Sequence, residues 1–152
     1  MTKKDIRGAK SPPWTLEVDV YLKADTDPPD FDVESFLKDG PDGDLVFNNC
    51  GRPGFNVVFR LHDETGKGYR FPGPPNLAEA VWSQRGCDCP DSEIWDIFDP
   101  VRVFDEGTAL TVRNENPSPP QGQFTYALRV TKDDQTYLRL DPGGLNQNGN
   151  AR

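Results

Sequence analysis

Residues 122–141 constrain the fold more than any other stretch of the chain. Apolar side chains occupy every second position over 124–130, and the alternation resumes over 136–140 after the polar turn sequence KDDQ. A period of two places one row of side chains in a core and the other towards water, so this stretch predicts a β-hairpin. Because an isolated hairpin is only marginally stable in water, further strands must cover its apolar face.

The same alternation predicts strands in five other segments, namely 14–22, 45–47, 55–61, 101–104 and 108–114. Residues 68–71 are expected to pair with the 55–61 strand as a hairpin. A short helical turn fits 32–38, where Asp32 would cap it, and 76–84 fits either a short helix or a strand.

Six to eight strands, little helix and no alternation of strands with helices predict an all-β protein. The expected architecture is an antiparallel β-sandwich, because two amphipathic sheets cover each other's apolar faces. A small antiparallel barrel is the alternative. The 152 residues suit one domain at 14–142, preceded by a mobile basic arm at 1–13. Residues 143–152 are expected to be a frayed polar tail or, if ordered, to fold back along an edge strand.

The chain is acidic, with a formal net charge of -8. Such a surface repels phosphate backbones and anionic lipid headgroups, so neither nucleic acid nor a membrane is expected as a partner. The basic N-terminus has no apolar segment behind it, and three cysteines cannot all pair within one chain. Both features favour the cytoplasm, unless a signal segment has been removed from a secreted protein.

The C-terminal third carries a resemblance to known proteins. Residues 111–114 (TVRN), 126–130 (YALRV) and the closing Asp141-Pro142 resemble small bacterial immunoglobulin-like or cupredoxin-like sandwich proteins, including the DP-EP type. These families have no assigned activity. The resemblance therefore implies a β-sandwich fold and no particular function.

A cupredoxin-like fold raises the question of copper. A blue-copper site needs two His, one Cys and usually an axial Met, grouped near the last hairpin. This chain has a single His, His62, a single Met, Met1, and no Cys after Cys89. The ligand inventory excludes a type 1 copper site.

Two other metals are compatible with the sequence. The remaining soft ligands could form a tetrahedral zinc site; they are Cys50, His62, Cys87 and Cys89. The alternatives are a disulfide from Cys50 to Cys87 or Cys89, or free thiols, with His62 simply exposed on its strand. Calcium could be held by the loop that contains Asp39, Asp42 and Asp44, although a solvated acidic surface is the default interpretation.

Aromatic residues suggest a ligand platform of the kind that binding sandwiches use, formed by Tyr69, Phe71, Trp82 and Trp95. The alternative is that these rings cap the core. With one His and no G-x-S-x-G sequence, a hydrolytic triad is hard to assemble.

The sequence therefore predicts a non-catalytic binding or structural module, with an unknown protein or small molecule as ligand and no obligatory cofactor. The alternative function is a metal-dependent or carboxylate hydrolase at the acidic and Cys-bearing loops. A homodimer through an exposed edge strand is a third expectation.

Overall fold

The computed structural model describes residues 14–35, 38–39, 44–48, 55–85, 95, 97–114, 122–140 and 143–147. Within these ranges the chain forms two β-sheets and a single 3-10 turn, Leu77–Glu79. The strands are β1 (Trp14–Ala24), β2 (Asp30–Glu34), β3 (Lys38–Asp39), β4 (Asp44–Asn48), β5 (Phe55–Asp63), β6 (Val81–Arg85), β7 (Phe98–Phe104), β8 (Ala109–Asn114), β9 (Gly122–Thr131), β10 (Tyr137–Leu140) and β11 (Gly143–Gln147). The predicted all-β sandwich is confirmed. No helix in the described ranges is long and apolar enough to cross a membrane.

The first sheet has the strand order β2-β1-β5-β8-β7. Its pairs are antiparallel except for β1 and β5, which run parallel from Trp14 opposite Phe55 to Leu22 opposite Asp63. The chain leaves this sheet after β2, forms β3 and β4 in the other sheet, and returns beside β1. Such a crossover makes parallel pairing geometrically available, so the expectation of purely antiparallel sheets is wrong here.

The second sheet contains β10, β9, β11, β4 and β3, with β6 paired to β9. Among its described pairs, β11 and β4 run parallel and the others run antiparallel. The predicted terminal hairpin is confirmed, because β10 pairs antiparallel with β9 from Tyr137 opposite Thr131 to Leu140 opposite Leu128.

The core lies between the sheets and follows the alternation in the sequence. Four aromatic rings meet at its centre, with centroid distances between 5.2 and 6.1 Å and mostly edge-to-face or tilted geometry; they are Phe59, Phe98, Phe124 and Tyr126. All four are fully buried. Aromatic pairs in this geometry add to the stability that burial alone provides.

The structure corrects two local predictions. The helical turn at 32–38 is wrong, because Asp30–Glu34 forms β2 with Val33 buried and the acidic residues exposed. The hairpin of 68–71 with β5 is also wrong. Arg70 instead exchanges two backbone hydrogen bonds with Thr131, across in the other sheet. Residues 76–84 contain both predicted forms, the 3-10 turn Leu77–Glu79 and then β6.

The frayed end expected for the polar tail is wrong for Gly143–Gln147, which forms β11 between β9 and β4. The alternative, that the tail folds back along an existing strand, describes this segment. Backbone pairing on both edges explains how so polar a sequence is held in a sheet, since ladder hydrogen bonds need no apolar side chain.

Candidate functional site

β10 and β11 together form one long line along the same edge of β9. Moving three residues from Leu140 to Gly143 moves the partner on β9 back by three, from Leu128 to Thr125. β10 and β11 therefore pair with β9 in the same register. The strands that pair with β9 on this edge therefore cover more of β9 than the alternation at 136–140 indicates.

The β11 half of this line has a described strand on its outer side. β4 pairs with it from Gly144 opposite Leu45 to Gln147 opposite Asn48. β3 pairs antiparallel with β4, on the side of β4 away from β11. Among the described strands, none covers the outer edge of β10.

Hydrogen bonds made by β9 show which backbone groups of β10 face outwards. The Arg129 N–H donates to Ala80 O at 2.9 Å, and Thr131 exchanges bonds with Arg70, so both residues direct their backbone groups away from β10. Successive residues of a strand alternate in this direction, so Leu128 and Val130 bond to β10. In the register of this pair, Tyr137 and Arg139 direct their N–H and C=O groups away from β9.

A groove of about 500 Å³ runs along this edge, within the range of volumes typical of ligand sites. One wall is β10 and the other is the loop between β1 and β2; the lining residues are Asp25, Thr26, Asp27, Pro28, Pro29, Tyr137, Leu138 and Arg139. Pro28 and Pro29 have no backbone N–H, so this part of the loop cannot donate to β10 and extend the sheet.

The loop wall is fixed by Asp25. Its carboxylate accepts hydrogen bonds from Lys67 Nζ at 2.9 Å to each oxygen and from the Tyr69 hydroxyl at 2.7 Å. These contacts, chiefly that with Lys67, hold the pKa of Asp25 below its ordinary value. Burial and the neighbouring carboxylate raise the pKa of Tyr69 to about 12. Asp25 is thus a charged anchor for the loop.

Asp63, at the end of β5, positions Lys67 and Tyr69. Its carboxylate accepts the backbone N–H groups of Thr65, Gly68 and Tyr69 at 2.9 to 3.1 Å and the Thr65 hydroxyl at 2.6 Å. Burial alone would raise the pKa of this carboxyl, but these hydrogen bonds hold it below its ordinary value. The turn Asp63-Glu64-Thr65-Gly66 that follows β5 therefore also supports the groove.

The β10 wall is fixed by an arginine clamped between two rings. The Arg129 guanidinium lies 4.0 Å from the centroid of Trp82 and 4.4 Å from that of Tyr137. It also donates to the carbonyl oxygen of Glu79 at 3.1 Å and pairs with the Glu79 carboxylate. Sequence reasoning missed this cluster, because its members come from three separate segments.

Asp27 gives the groove its charge. Its side chain is exposed, and nothing in the described part of the structure forms a hydrogen bond or ion pair with its carboxylate. Arg139 supplies a half-buried cation on the opposite wall. The groove therefore combines two fixed walls, an acceptor for a cationic group and outward backbone groups. This arrangement suits binding.

The four aromatic residues predicted to form a ligand platform occupy different environments. Tyr69 and Phe71 belong to the core cluster, and Phe71 is only 1% exposed. Trp82 is buried beneath Arg129, and half-buried Trp95 donates its indole N–H to Val81 O at 2.8 Å. Of these four residues, Tyr69 has a described contact with the groove wall, its hydrogen bond to Asp25.

The candidate metal ligands lie largely beyond the described ranges, which exclude Asp42, Cys50, Cys87 and Cys89. Asp39 and Asp44 pair across β3 and β4 through their backbones. His62 is exposed, as expected, with its Nε2 atom 2.8 Å from Asp19 and its ring stacked on Tyr21. No group of three or more potential ligands occurs among the described residues. The zinc and calcium sites stay predictions.

No protein-family model matches the chain, and no curated protein matches it with significant similarity. The resemblance to the DP-EP type stays a prediction.

Proposed function

We propose that this protein is a non-catalytic binding module, of the immunoglobulin-like or cupredoxin-like type, whose ligand occupies the groove beside β10. The observation that carries the proposal is the groove itself, of about 500 Å³, with walls held by Asp25 on one side and Arg129 on the other. Walls fixed before binding reduce the entropy that a ligand must overcome. The proposal includes a cytoplasmic location, in keeping with the odd number of cysteines.

The protonation states of the groove support binding without chemistry. A general acid or base needs a pKa near the working pH. The contacts of Asp25 lower its pKa, and those of Tyr69 raise its pKa to about 12. Neither group is poised to transfer a proton near neutral pH. No observation in the described ranges favours the alternative hydrolase.

A groove-filling variant tests this proposal. Thr26 is exposed on the loop wall, so Thr26→Trp places an indole in the groove without touching the core. Thr15→Trp is the matched control, because exposed Thr15 lies near the other end of β1, about 30 Å away at the usual strand rise.

The readout is the ¹H–¹⁵N correlation spectrum of each protein during titration with short peptides, disaccharides, nucleosides and small amines. At least one class should shift amides of residues 25–29 and 137–139 in the wild type and in Thr15→Trp, but not in Thr26→Trp. Equal shifts in Thr26→Trp, or shifts confined to other surfaces, would contradict the proposal.

A further inference from the structure

We infer that the outer face of the first sheet, β2-β1-β5-β8-β7, binds the same face of a second copy of this chain and forms a two-fold symmetric dimer. This surface is separate from the groove, so the inference does not depend on the proposed function. It rests on the register of the five strands, on the separation of charge across the face and on the area that the face offers.

The register arranges the outward side chains of the five strands in rows. Val57, Phe59 and Leu61 belong to the core cluster, so the alternate residues of β5 point outwards, and the paired strands follow the same alternation. Two neighbouring rows cross the middle of the face; they are Glu17-Val58-Thr111-Arg102 and Glu34-Asp19-Arg60-Ala109-Phe104. Each row begins with a carboxylate on β1 or β2 and ends with an arginine or an aromatic ring on β7.

Charge is separated along these rows. The half of the face formed by β2 and β1 directs five carboxylates and one lysine outwards; they are Asp30, Asp32, Glu34, Glu17, Asp19 and Lys23. The half formed by β5, β8 and β7 directs three arginines and one carboxylate outwards; they are Arg60, Arg113, Arg102 and Asp99. A partner of one sign would complement only half of this face, whereas a second copy supplies both signs.

Arg102 is the cation best placed to contact a second copy. Its side chain is exposed, and its guanidinium lies 4.4 Å from the centroid of Phe104. Arg60 pairs with Glu17 and Asp105 within the chain, but no carboxylate in the described ranges pairs with Arg102. Stacking on Phe104 orders the Arg102 side chain before association, which lowers the entropy that binding must overcome.

The charge pattern determines the direction of the two-fold axis. An axis parallel to β5 places β2 and β1 of one copy over β7 and β8 of the other, so that Arg102 faces Glu34 and Glu17 of the second copy. An axis across the strands would place β2 over β2 and bring carboxylates together, which is unfavourable. The first arrangement is therefore the one expected, and each of its contacts occurs twice.

The size of the face suits a weak dimer. Five strands about 4.8 Å apart and about eight residues long form a face of about 20 by 26 Å, or about 500 Å² per copy. Two copies would bury about 1,000 Å², at the lower limit of specific interfaces, so we expect a dissociation constant of about 10–100 μM. The face also contains apolar side chains, because Val58 and Ala109 are buried outside the core cluster and Val101 is 49% exposed on β7.

Two charge reversals and their mixture test the inference with the whole protein. Arg102→Glu and Glu34→Arg each place like charges opposite one another in a homodimer, whereas mixing the two proteins restores both contacts. Lys132→Glu is the matched control for Arg102→Glu, because it changes the net charge equally on an exposed turn of the other sheet. Sedimentation velocity over a concentration series measures association at about 0.15 M salt, where a Debye length of about 8 Å screens the general repulsion between two acidic molecules.

Wild type and Lys132→Glu should dimerise with about equal dissociation constants. Each reversal should raise the constant about thirtyfold or more, since the altered contact occurs twice in the dimer. The mixture should associate within about threefold of wild type, which would also show that both variants are folded.

A wild-type protein that stays monomeric at about 1 mM would overturn the inference. Undiminished dimerisation of Arg102→Glu would do the same, as would a mixture that stays monomeric although both variants have the circular dichroism of the wild type. A dimer that protects the amides of β10 from hydrogen exchange, and not the first sheet, would place the second copy on an edge strand and would also overturn it. None of these results bears on the binding of a ligand in the groove.

Discussion

At the scale of single residues, Gly107 shows how a backbone conformation joins two parts of the fold. Its φ is +89°, and a Cβ atom there would lie 2.7 Å from Arg70 Cβ. The Gly107 carbonyl oxygen also accepts the Phe71 N–H at 2.8 Å. This close approach links the turn before β8 to the segment that crosses to β9.

Gly107→Ala should therefore lower the free energy of unfolding by about 2–4 kcal/mol, from left-handed strain and steric overlap together. Gly66→Ala, at φ +74° with open space around it, should cost about 1 kcal/mol from conformation alone. Gly73→Ala has neither problem and should be near neutral. Urea denaturation measures all three, and equal values for Gly107 and Gly73 would refute the steric argument.

Asp133 is the residue that shapes the turn between β9 and β10. Its carboxylate accepts the backbone N–H groups of Thr136 and Gln135 at 2.9 and 2.8 Å, and the hydroxyl of Thr136. These bonds lower its pKa from 3.8 to about 2. A carboxyl with a depressed pKa stabilises the fold above its unfolded pKa, and that stabilisation disappears as the pH falls through the folded value.

Wild type should thus be more stable than Asp133→Asn by a constant amount above about pH 5, and the gap should close as the pH falls from about 4 to 2. Urea midpoints at several pH values give this difference. A gap that is independent of pH down to pH 2 would show that the carboxylate charge has no role in the turn.

At the scale of elements, the two halves of the β10–β11 line should respond differently to proline. Leu145 and Arg139 both direct their backbone N–H and C=O groups away from β9. Those of Leu145 face β4, whereas those of Arg139 face the groove. Leu145→Pro removes a ladder hydrogen bond inside the sheet and should cost about 3 kcal/mol or more. Arg139→Pro leaves the β9 ladder intact and should cost clearly less.

Chemical denaturation of both variants checks this contrast. Equal destabilisation would mean that the outward backbone groups of β10 are as fully paired as those of β11. A Leu145→Pro protein that is too unstable to purify, beside a folded Arg139→Pro protein, gives the expected order.

Alternation in the sequence predicts the strands that bury the side chains of one face and expose those of the other. β1, β5, β8 and β9 each bury at least every second residue of their alternating segments, and the sequence alone shows that pattern. β2 was mistaken for a helical turn because its acidic and apolar residues alternate in only five positions. For β11 the sequence leaves two alternatives, a frayed tail and a segment folded back along an edge strand, because backbone pairing holds this segment and leaves no mark on composition.

At the scale of the whole molecule, the topology explains why the groove could not be predicted. Its two walls come from residues 25–29 and 137–139, more than a hundred positions apart. They meet because β1 lies in one sheet and β10 at the edge of the other. The supporting contacts, such as Lys67 with Asp25 and Arg129 with Trp82, likewise depend on the sandwich having formed. Sequence patterns of short range carry none of this information.

The most direct measurement of the central claim is crystallographic fragment screening of the protein without its ligand. Fragments carrying an amide or a primary amine should cluster beside β10, with amides bonded to the outward backbone groups and amines near Asp27. An empty groove, with fragments gathered instead on another surface, would contradict the account that this edge of the sandwich is the binding site.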